Sequence, residues 1–245
     1  MGRAAGSALL GLLLPRACAV CERPLDAGDG GVVCARCWSQ VRTLHAPRCE
    51  RCGHPRRAGE CQWCRLLPAY VRAARSLCWI PGGTAGNIVH ALKYGGWCAV
   101  AAEMARRMSR LSWPVDVERE RTALVPVPLA PSRERERGFN QSDLLARELG
   151  RRWNLPVWPR ALVRIRTTTT QTRLTPESRR TNVSGAFRLG TAPAAPLRGA
   201  HVVLVDDVVT TGATVVECAR ALFNGGARIV SIVTFGRAPA SGDRV

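Results

Sequence analysis

The sequence predicts an α/β fold, a parallel sheet flanked by helices, with a cysteine-rich segment in front of it. From residue 71 onward, apolar runs typical of buried strands alternate with segments whose apolar residues recur at helical spacing. Before residue 67, cysteine recurs in a regular pattern instead. The 245 residues are enough for one or two domains, and this change in character predicts a division into residues 1–67 and 68–245.

The cysteine pattern indicates metal binding. Eight of the eleven cysteines form four C-x-x-C pairs: Cys18/Cys21, Cys34/Cys37, Cys49/Cys52 and Cys61/Cys64. Such a turn directs two thiolates at one ion, and two turns complete a tetrahedral structural Zn²⁺ site. We expect two zinc ions, with pairing in sequence order giving Cys18, Cys21, Cys34 and Cys37 to one and Cys49, Cys52, Cys61 and Cys64 to the other. Crossed pairing, a single zinc with spare cysteines, and disulfides, which suit a secreted protein, are the alternatives.

Two histidines and three further cysteines lie outside this pattern. His45 and His54 are near the pairs and have the chemistry to replace a thiolate, but eight cysteines already fill two sites. With no ligand position left for water, the ions are predicted to be structural. Cys78, Cys98 and Cys218 lie in apolar segments and are predicted to be buried thiols.

The remaining elements follow from periodicity and caps. Strands are predicted at residues 71–80, 122–127, 162–165, 202–205 and 229–235. Helices are predicted up to Lys93 from a cap at Thr84 or Asn87, across residues 95–111, from a cap at Asn140 or Ser142, and over 214–223. Residues 166–187 are polar, rich in threonine and without periodicity, which is typical of a functional lid or of a basic linker.

The chain is strongly basic. Its net charge is +18, and all but one of its positive side chains are arginine, the exception being Lys93. This charge fits a nucleic acid, an anionic membrane surface or a polyphosphate as partner, although a compositional bias toward arginine explains it equally well. The retained lysine in "HALKYGGW" is a candidate phosphate contact; a solvated side chain is the plainer interpretation.

No part of the sequence predicts a membrane span. No apolar run approaches the roughly 18–20 residues that a span needs. The short run at residues 8–14 has some features of a signal peptide, but cleavage after Ala19 would remove Cys18 and break the first pair. We expect a short helix packed on the chain's own body, and a cytoplasmic protein.

The segment "VVLVDDVVTTGAT", residues 202–214, carries the chemistry. A strand is predicted to end at Asp206 and Asp207, and a Thr- and Gly-containing turn then leads into a helix. Such a turn offers backbone N–H groups and hydroxyls to a phosphate. The two carboxylates cannot share that phosphate, but they match the vicinal hydroxyls of a sugar. A ribose 5-phosphate group fits both; helix capping by the acids is the alternative.

At these residues the chain resembles the type I phosphoribosyltransferases, whose signature for phosphoribosyl pyrophosphate (PRPP) is a hydrophobic strand, two acids, two variable residues and T-T-G-x-T. The segments "ALKYGG", "PVPL", "RERERGFNQSDLLA" and "QTRLTPESRRTNVSGAF" resemble the ComF branch, competence-associated proteins with an N-terminal double zinc ribbon. This resemblance covers nearly the whole chain. It implies a type I phosphoribosyltransferase-like fold.

The resemblance also implies transfer chemistry on PRPP with Mg²⁺. Asp206 and Asp207 would hold the ribose hydroxyls. The 5-phosphate would lie against Thr210, Thr211, Gly212, Ala213 and Thr214. Candidate cations for the pyrophosphate are Lys93, Arg133 and Arg137, with Arg173, Arg179 and Arg180 arriving on the long polar segment. Closure of that segment as a lid would exclude water from the reacting centre. An exposed turn of alternating charge is the other interpretation of "SRERERG", which contains Arg133 and Arg137.

Three functions are compatible with these features. The first is a PRPP-dependent phosphoribosyltransferase linked to competence, whose acceptor the sequence does not name because no residue defines a base pocket. The second is an adaptor for DNA uptake that binds single-stranded DNA and uptake proteins and has a non-catalytic PRPP site. The third, a transcriptional zinc-ribbon protein, lacks a recognition-helix signature. Paired acids beside a phosphate turn favour the first, since acids weaken DNA binding.

Overall fold

Four parallel strands form the central sheet of the computed structural model, which describes residues 16–26, 28–55, 61–65, 67–80, 82–166, 183–190, 197–239 and 243. The strands are β1 (Val71–Trp79), β2 (Arg121–Pro126), β5 (His201–Val209) and β6 (Ile229–Arg237), in the order β1-β6-β5-β2. Two short strands, β3 (Leu162–Arg164) and β4 (Phe187–Leu189), pair antiparallel beside it. The predicted α/β architecture with a parallel sheet is confirmed.

Helices cover both faces of this sheet. They are α1 (Ala35–Ser39), α2 (Gln62–Arg65), α3 (Gly83–Tyr94), α4 (Val100–Met108), α5 (Val115–Glu120), α6 (Pro131–Arg137), α7 (Gln141–Trp153) and α8 (Ala213–Asn224). Successive residues of β5 alternate between the faces. Val203 and Val205 join the core that includes α3, α4 and α7, whereas Val202 and Leu204 join the core that includes α8.

The two cysteine modules, residues 18–37 and residues 49–64, pack into the cores on opposite faces of the sheet. Cys18, Cys34 and Cys37 of the first module are buried with α3, α4 and α7. Cys52 of the second module is buried with α8 and the small antiparallel sheet. Each module is therefore part of the packing of one face of the sheet.

The structure corrects three local predictions. Strand β5 does not end at the acids but continues through them to Val209, because it stays paired with β6 as far as Arg237. Helix α3 begins after Gly82, so neither Thr84 nor Asn87 is its cap. Cys98 is exposed instead of buried because it lies in the turn before α4.

Other local predictions are confirmed. Asn140 caps α7 by accepting a hydrogen bond of 2.9 Å from the Ser142 amide. Helix α8 ends at Gly225, and Cys78 and Cys218 are buried. A further difference concerns "SRERERG", which forms most of the exposed seven-residue helix α6 and not the exposed turn that was its other interpretation. The predicted helix at 8–14 and residues 167–182 of the proposed lid lie outside the described residues.

No helix in the described ranges is both long enough and apolar enough to cross a membrane.

Candidate phosphoribosyl site and zinc centres

Asp207 is buried within β5 and bound from two helices. Its side chain forms an ion pair with Lys93 Nζ, at the end of α3, through Oδ2. Its Oδ1 accepts a hydrogen bond of 3.0 Å from Gln141 Nε2, in the first turn of α7. Burial acts to lower the pKa of Lys93, but the negative charges of Asp207 and Asp206 outweigh it, so the pKa is raised and the lysine stays protonated.

Asp206 lies in a different environment. Its Oδ1 accepts hydrogen bonds of 2.8 Å from Ser142 Oγ and 2.9 Å from the Asp207 amide. Burial, and then the neighbouring charge of Asp207, raise the pKa of Asp206 from 3.8 to about 7 despite these bonds. The pair therefore combines one carboxylate neutralised by a lysine with one that changes charge near neutral pH.

The turn after β5 has the geometry of a phosphate site. Gly212 has φ +79°, a conformation that favours glycine, and precedes the first residue of α8. The N–H groups at the start of a helix have no intrahelical acceptor and carry its positive dipole end. Thr210, exposed, and Thr211, half-buried, bring their hydroxyls to the same turn, and Ala213 and Thr214 open the helix.

Three predicted cations meet at one cavity beside the acids. Lys93, Arg133 and Arg137 line a cavity of about 210 Å³ between the end of α3 and α6. Arg137 donates to Gln141 Oε1 at 2.5 Å, and Arg133 forms an ion pair of 3.0 Å with Glu136. Because Gln141 also bonds to Asp207, it links the cavity to the acids. Arg173, Arg179 and Arg180 lie outside the described residues.

Sequence reasoning missed Gln141 and Ser142 as site residues. Both are buried and lie on the same side of α7 as the core residues Leu145 and Leu149. Polar side chains on the apolar face of a helix are a readable signal, since a buried polar group needs a partner. Because this helix start was interpreted only as a cap at Asn140 or Ser142, the contacts of Gln141 and Ser142 with the acids were not predicted.

The cysteines form two separate groups of four, in sequence order. Within each group the Sγ atoms lie within 4.8 Å of one another. The Cys18–Cys37 and Cys21–Cys34 separations are 3.9 and 3.8 Å, and the Cys49–Cys64 and Cys52–Cys61 separations are 3.4 and 3.2 Å. A tetrahedral zinc with Zn–S bonds of about 2.3 Å requires sulfur atoms slightly under 4 Å apart. Both groups thus fit structural zinc sites, and sequential pairing is confirmed.

Neither His45 nor His54 belongs to these groups. The His54 ring hydrogen-bonds instead to Asp243 Oδ1 at 2.9 Å. Burial acts to raise the pKa of Cys18 and Cys49, yet hydrogen bonds from backbone amides lower both to about 7.

The second cysteine module contacts the turn at residues 210–214, the candidate phosphate turn. Trp63, on α2 between two cysteine ligands, is buried, and a Cβ on Gly212 would lie 3.6 Å from its Cζ3. Arg237, at the end of β6, lies 4.7 Å from the centre of the Trp63 ring and donates to the Cys52 carbonyl at 2.7 Å. The turn thus lies between strand ends and a metal-binding module.

A phosphoribosyltransferase-type domain preceded by a double zinc ribbon is the class of protein that this fold and these centres define. Family models agree: a double zinc ribbon domain matches residues 9–67, and a phosphoribosyl transferase domain matches residues 136–245. The relative "DNA utilization protein YhgH" of Escherichia coli K12 is 36% identical over 234 residues, which cover 90% of this chain and 96% of that protein. "Competence protein F" of Haemophilus influenzae is 29% identical over 243 residues, with the same coverage. The chain belongs to the ComF family.

One further sequence relative and two solved structures show more distant similarity to this chain. "Competence protein ComFC" of Bacillus subtilis, a sequence relative, is 26% identical over 83% of this chain and 82% of that protein. The adenine phosphoribosyl transferase of Trypanosoma brucei is 14% identical, with a TM-score of 0.34 over 73% of this chain and 79% of that one. The UMP synthase of Leishmania donovani is 19% identical, with a TM-score of 0.32 over 60% of this chain and 24% of that one. These two enzymes are too distant for their substrates to be carried over.

Proposed function

We propose that this protein binds PRPP with Mg²⁺ at the end of β5 and transfers the phosphoribosyl group to a nitrogen acceptor. The observation that carries the proposal is the placement of two buried carboxylates, Asp206 and Asp207, beside a helix start preceded by Gly212. An anion site and a pair of hydroxyl acceptors on one short segment suit a ligand with a phosphate and a diol.

The turn and the acids take different parts of this ligand. The 5-phosphate lies against the turn from Thr210 to Thr214, where amides and hydroxyls converge. The ribose hydroxyls donate to Asp206 and Asp207. Because Lys93 holds Asp207 Oδ2 in the free protein, the hydroxyls must share or replace that contact.

The cavity beside the acids takes the pyrophosphate. Lys93, Arg133 and Arg137 supply positive charge there. Binding of the pyrophosphate draws Lys93 toward the cavity, which frees an oxygen of Asp207 for the ribose. The residues beyond the described ranges, Arg173, Arg179 and Arg180, remain predicted contributors.

The acids fit a magnesium ion that arrives with the ligand. Carboxylate oxygens suit Mg²⁺, but within the described ranges Asp206 and Asp207 do not belong to any cluster of three metal-ligating side chains, so most ligands must come from PRPP and water. When bound, the ion neutralises the charge of the leaving pyrophosphate. In the transfer, the C1–O bond breaks with its electron pair leaving on pyrophosphate, and the lone pair of the acceptor nitrogen forms the new bond to C1 as its N–H proton passes to solvent water.

Calorimetric titration with PRPP and Mg²⁺ tests this proposal. The wild type should bind one PRPP per chain, and Asp206→Asn or Asp207→Asn should each weaken binding about tenfold to a hundredfold, since each removes a charged hydrogen-bond acceptor. Asp116→Asn is the matched control, because Asp116 pairs with Arg72 away from the site. A wild type that does not bind PRPP contradicts the proposal. Pyrophosphate release across a panel of bases and amines then identifies the acceptor.

A second candidate function is DNA handling during uptake. The net charge of +18 and the names of the relatives, a DNA utilization protein and a competence protein, favour it. In that case PRPP binding is regulatory and no transfer occurs. Single-stranded DNA should then bind Asp207→Asn as tightly as wild type, with a steep loss of affinity as salt rises, and no acceptor should release pyrophosphate.

A further inference from the structure

A second, larger cavity lies at the junction between the cysteine modules and the sheet. Its volume is about 750 Å³, within the range typical of small-molecule sites. It shares no lining residue with the cavity beside Asp207. Its apolar part includes Val41, Leu77 and Leu111. Val41 lies between the two cysteine groups, Leu77 lies on β1, and Leu111 follows the end of α4.

Four arginines surround this apolar part: Arg48, Arg75, Arg107 and Arg110. Arg75 is bound by the protein itself, because it donates to the carbonyl oxygens of Ser112, Ala74 and Glu50, each at 2.8 Å. Burial lowers the pKa of Arg75, while the nearby Cys52 and Cys49 act to raise it. Of the remaining three, Arg48 donates through one nitrogen to the Leu44 carbonyl and Arg107 stacks on Trp38, while Arg110 has no hydrogen-bond acceptor within the described ranges.

Arg107 is held in place with unused hydrogen-bonding capacity. Its guanidinium lies 3.6 Å from the centre of the Trp38 ring, which fixes its position. Its Nη1 is buried and has no acceptor in the described structure, and the same is true of Arg48 Nε. A buried donor without an acceptor is costly, so this geometry indicates a missing partner.

The acids near these arginines are engaged elsewhere. Glu50, the acid in the cavity lining, forms an ion pair of 3.5 Å with Arg72. Glu103 accepts hydrogen bonds of 2.7 Å from Trp38 Nε1 and 2.6 Å from the Val32 amide. Arg110 is exposed and forms no ion pair within the described ranges. Burial, followed by the charge of Arg106, lowers the pKa of Arg107 to about 10, although the charge of Glu103 acts to raise it.

We propose that this cavity binds a nucleotide, with its phosphates on Arg48, Arg107 and Arg110 and its base and sugar over the apolar part. Arginine forks match phosphate oxygens, and a ligand of this kind supplies acceptors for the buried donors. Two sources provide the same chemistry: a free nucleotide, or one nucleotide of a single strand. This site is separate from the PRPP site.

Binding of ATP, AMP and a fluorescein-labelled oligothymidylate to the zinc-loaded full chain tests the proposal, by calorimetry and fluorescence anisotropy. Arg110→Glu should weaken nucleotide binding by about tenfold or more, because it reverses a phosphate-facing charge. Arg119→Glu, an exposed helix position outside the cavity, makes the same change in net charge and should alter affinity less than about twofold. Zinc content and melting temperature of each variant check the fold.

The probes distinguish the two sources. If Arg110→Glu loses binding of ATP and AMP but still binds the oligothymidylate, the ligand is a free nucleotide. If Arg110→Glu loses binding of the oligothymidylate as well, the ligand is one nucleotide of a single strand. Equal weakening by both variants, or no binding of any probe to the wild type, overturns the proposal. Asp207→Asn should leave cavity binding unchanged, and Arg110→Glu should leave PRPP binding unchanged, so failure of this site and failure of the PRPP site are separable.

Discussion

At the scale of single residues, the two adjacent aspartates lie in different electrostatic environments. Asp207 is paired with Lys93, whereas the pKa of Asp206 is raised to about 7 by burial and by the charge of Asp207. A neutral carboxylic acid is a weaker acceptor for a ribose hydroxyl than a carboxylate. The protonation of Asp206 therefore controls the strength of the proposed ribose contact.

PRPP affinity should rise with pH. The pKa of Asp206 in the folded chain lies above its ordinary value of 3.8, so the folded state retains a proton between these values and the free energy of unfolding falls as pH rises through this window. Ionisation at higher pH then favours the hydroxyl contact. We expect affinity to increase between about pH 6 and pH 8, up to tenfold per unit below the pKa. Calorimetry across this pH range measures the PRPP affinity. In Asp206→Asn, only the titration of the ligand itself should change the affinity with pH. If the affinities of wild type and variant rise equally steeply with pH, the prediction is contradicted.

The Lys93–Asp207 pair should contribute to stability as a unit. Lys93→Met leaves a buried carboxylate without a cation, and we expect the free energy of unfolding to fall by about 3 kcal/mol. Lys93→Met combined with Asp207→Asn should recover most of this loss, because the uncompensated charge is gone. Urea unfolding of the four proteins measures the coupling, and additive losses would show that the pair is not coupled.

At the scale of elements, the phosphate turn is supported by the second cysteine module. Helix α2 places Trp63 against Gly212, and β6 places Arg237 against Trp63. Because Trp63 lies directly against Gly212 of this turn, we expect the geometry of the turn to depend on that packing.

Truncation of this support should weaken PRPP binding. We expect Trp63→Ala to lower the free energy of unfolding by about 3 kcal/mol and also to lower PRPP affinity, because the turn loses a packing partner. Trp113→Ala is the matched control: Trp113 is equally buried, at 8% against 7% exposed, but packs against Trp153. Urea unfolding and PRPP titration of both variants separate the effects. If the control lowers affinity equally, the effect is general destabilisation.

At the scale of the whole molecule, the two metal centres are part of the two cores. One lies with α3, α4 and α7, and the other with α8, so neither module is an appendage of the sheet. The loss of zinc should therefore destabilise the sheet as well as the ribbons.

Zinc removal tests this. Chelation under reducing conditions should release about two ions per chain and lower the melting temperature of the whole protein by more than about 10 °C, since zinc binding contributes folding free energy. Near-ultraviolet circular dichroism follows the tertiary structure, and re-addition of zinc should restore it. An unchanged melting temperature after complete zinc release contradicts the prediction.

Local patterns in the sequence determined most of the elements and the cysteine groups, and they predict a phosphate-binding turn at residues 210–214. Hydrophobic spacing, C-x-x-C turns and a cap at Asn140 depend on neighbours along the chain, and the structure confirms these predictions. The end of β5 was predicted too early, because pairing with β6 extends the strand through the polar residues Asp206 and Asp207. Local polarity does not reveal such pairing.

The surroundings of the acids were decided only by tertiary structure. Gln141 and Ser142 reach Asp207 and Asp206 across 66 and 64 positions of sequence, because α7 packs against β5. Trp63 reaches Gly212 because the second module packs on the face of the sheet that bears α8. The sequence by itself determined which cysteines group together and predicts which groups bind a phosphate and a ribose, since both follow from residue type and spacing. Which groups neutralise, orient and support them depends on the order of the strands and the packing of distant helices, which no local pattern encodes.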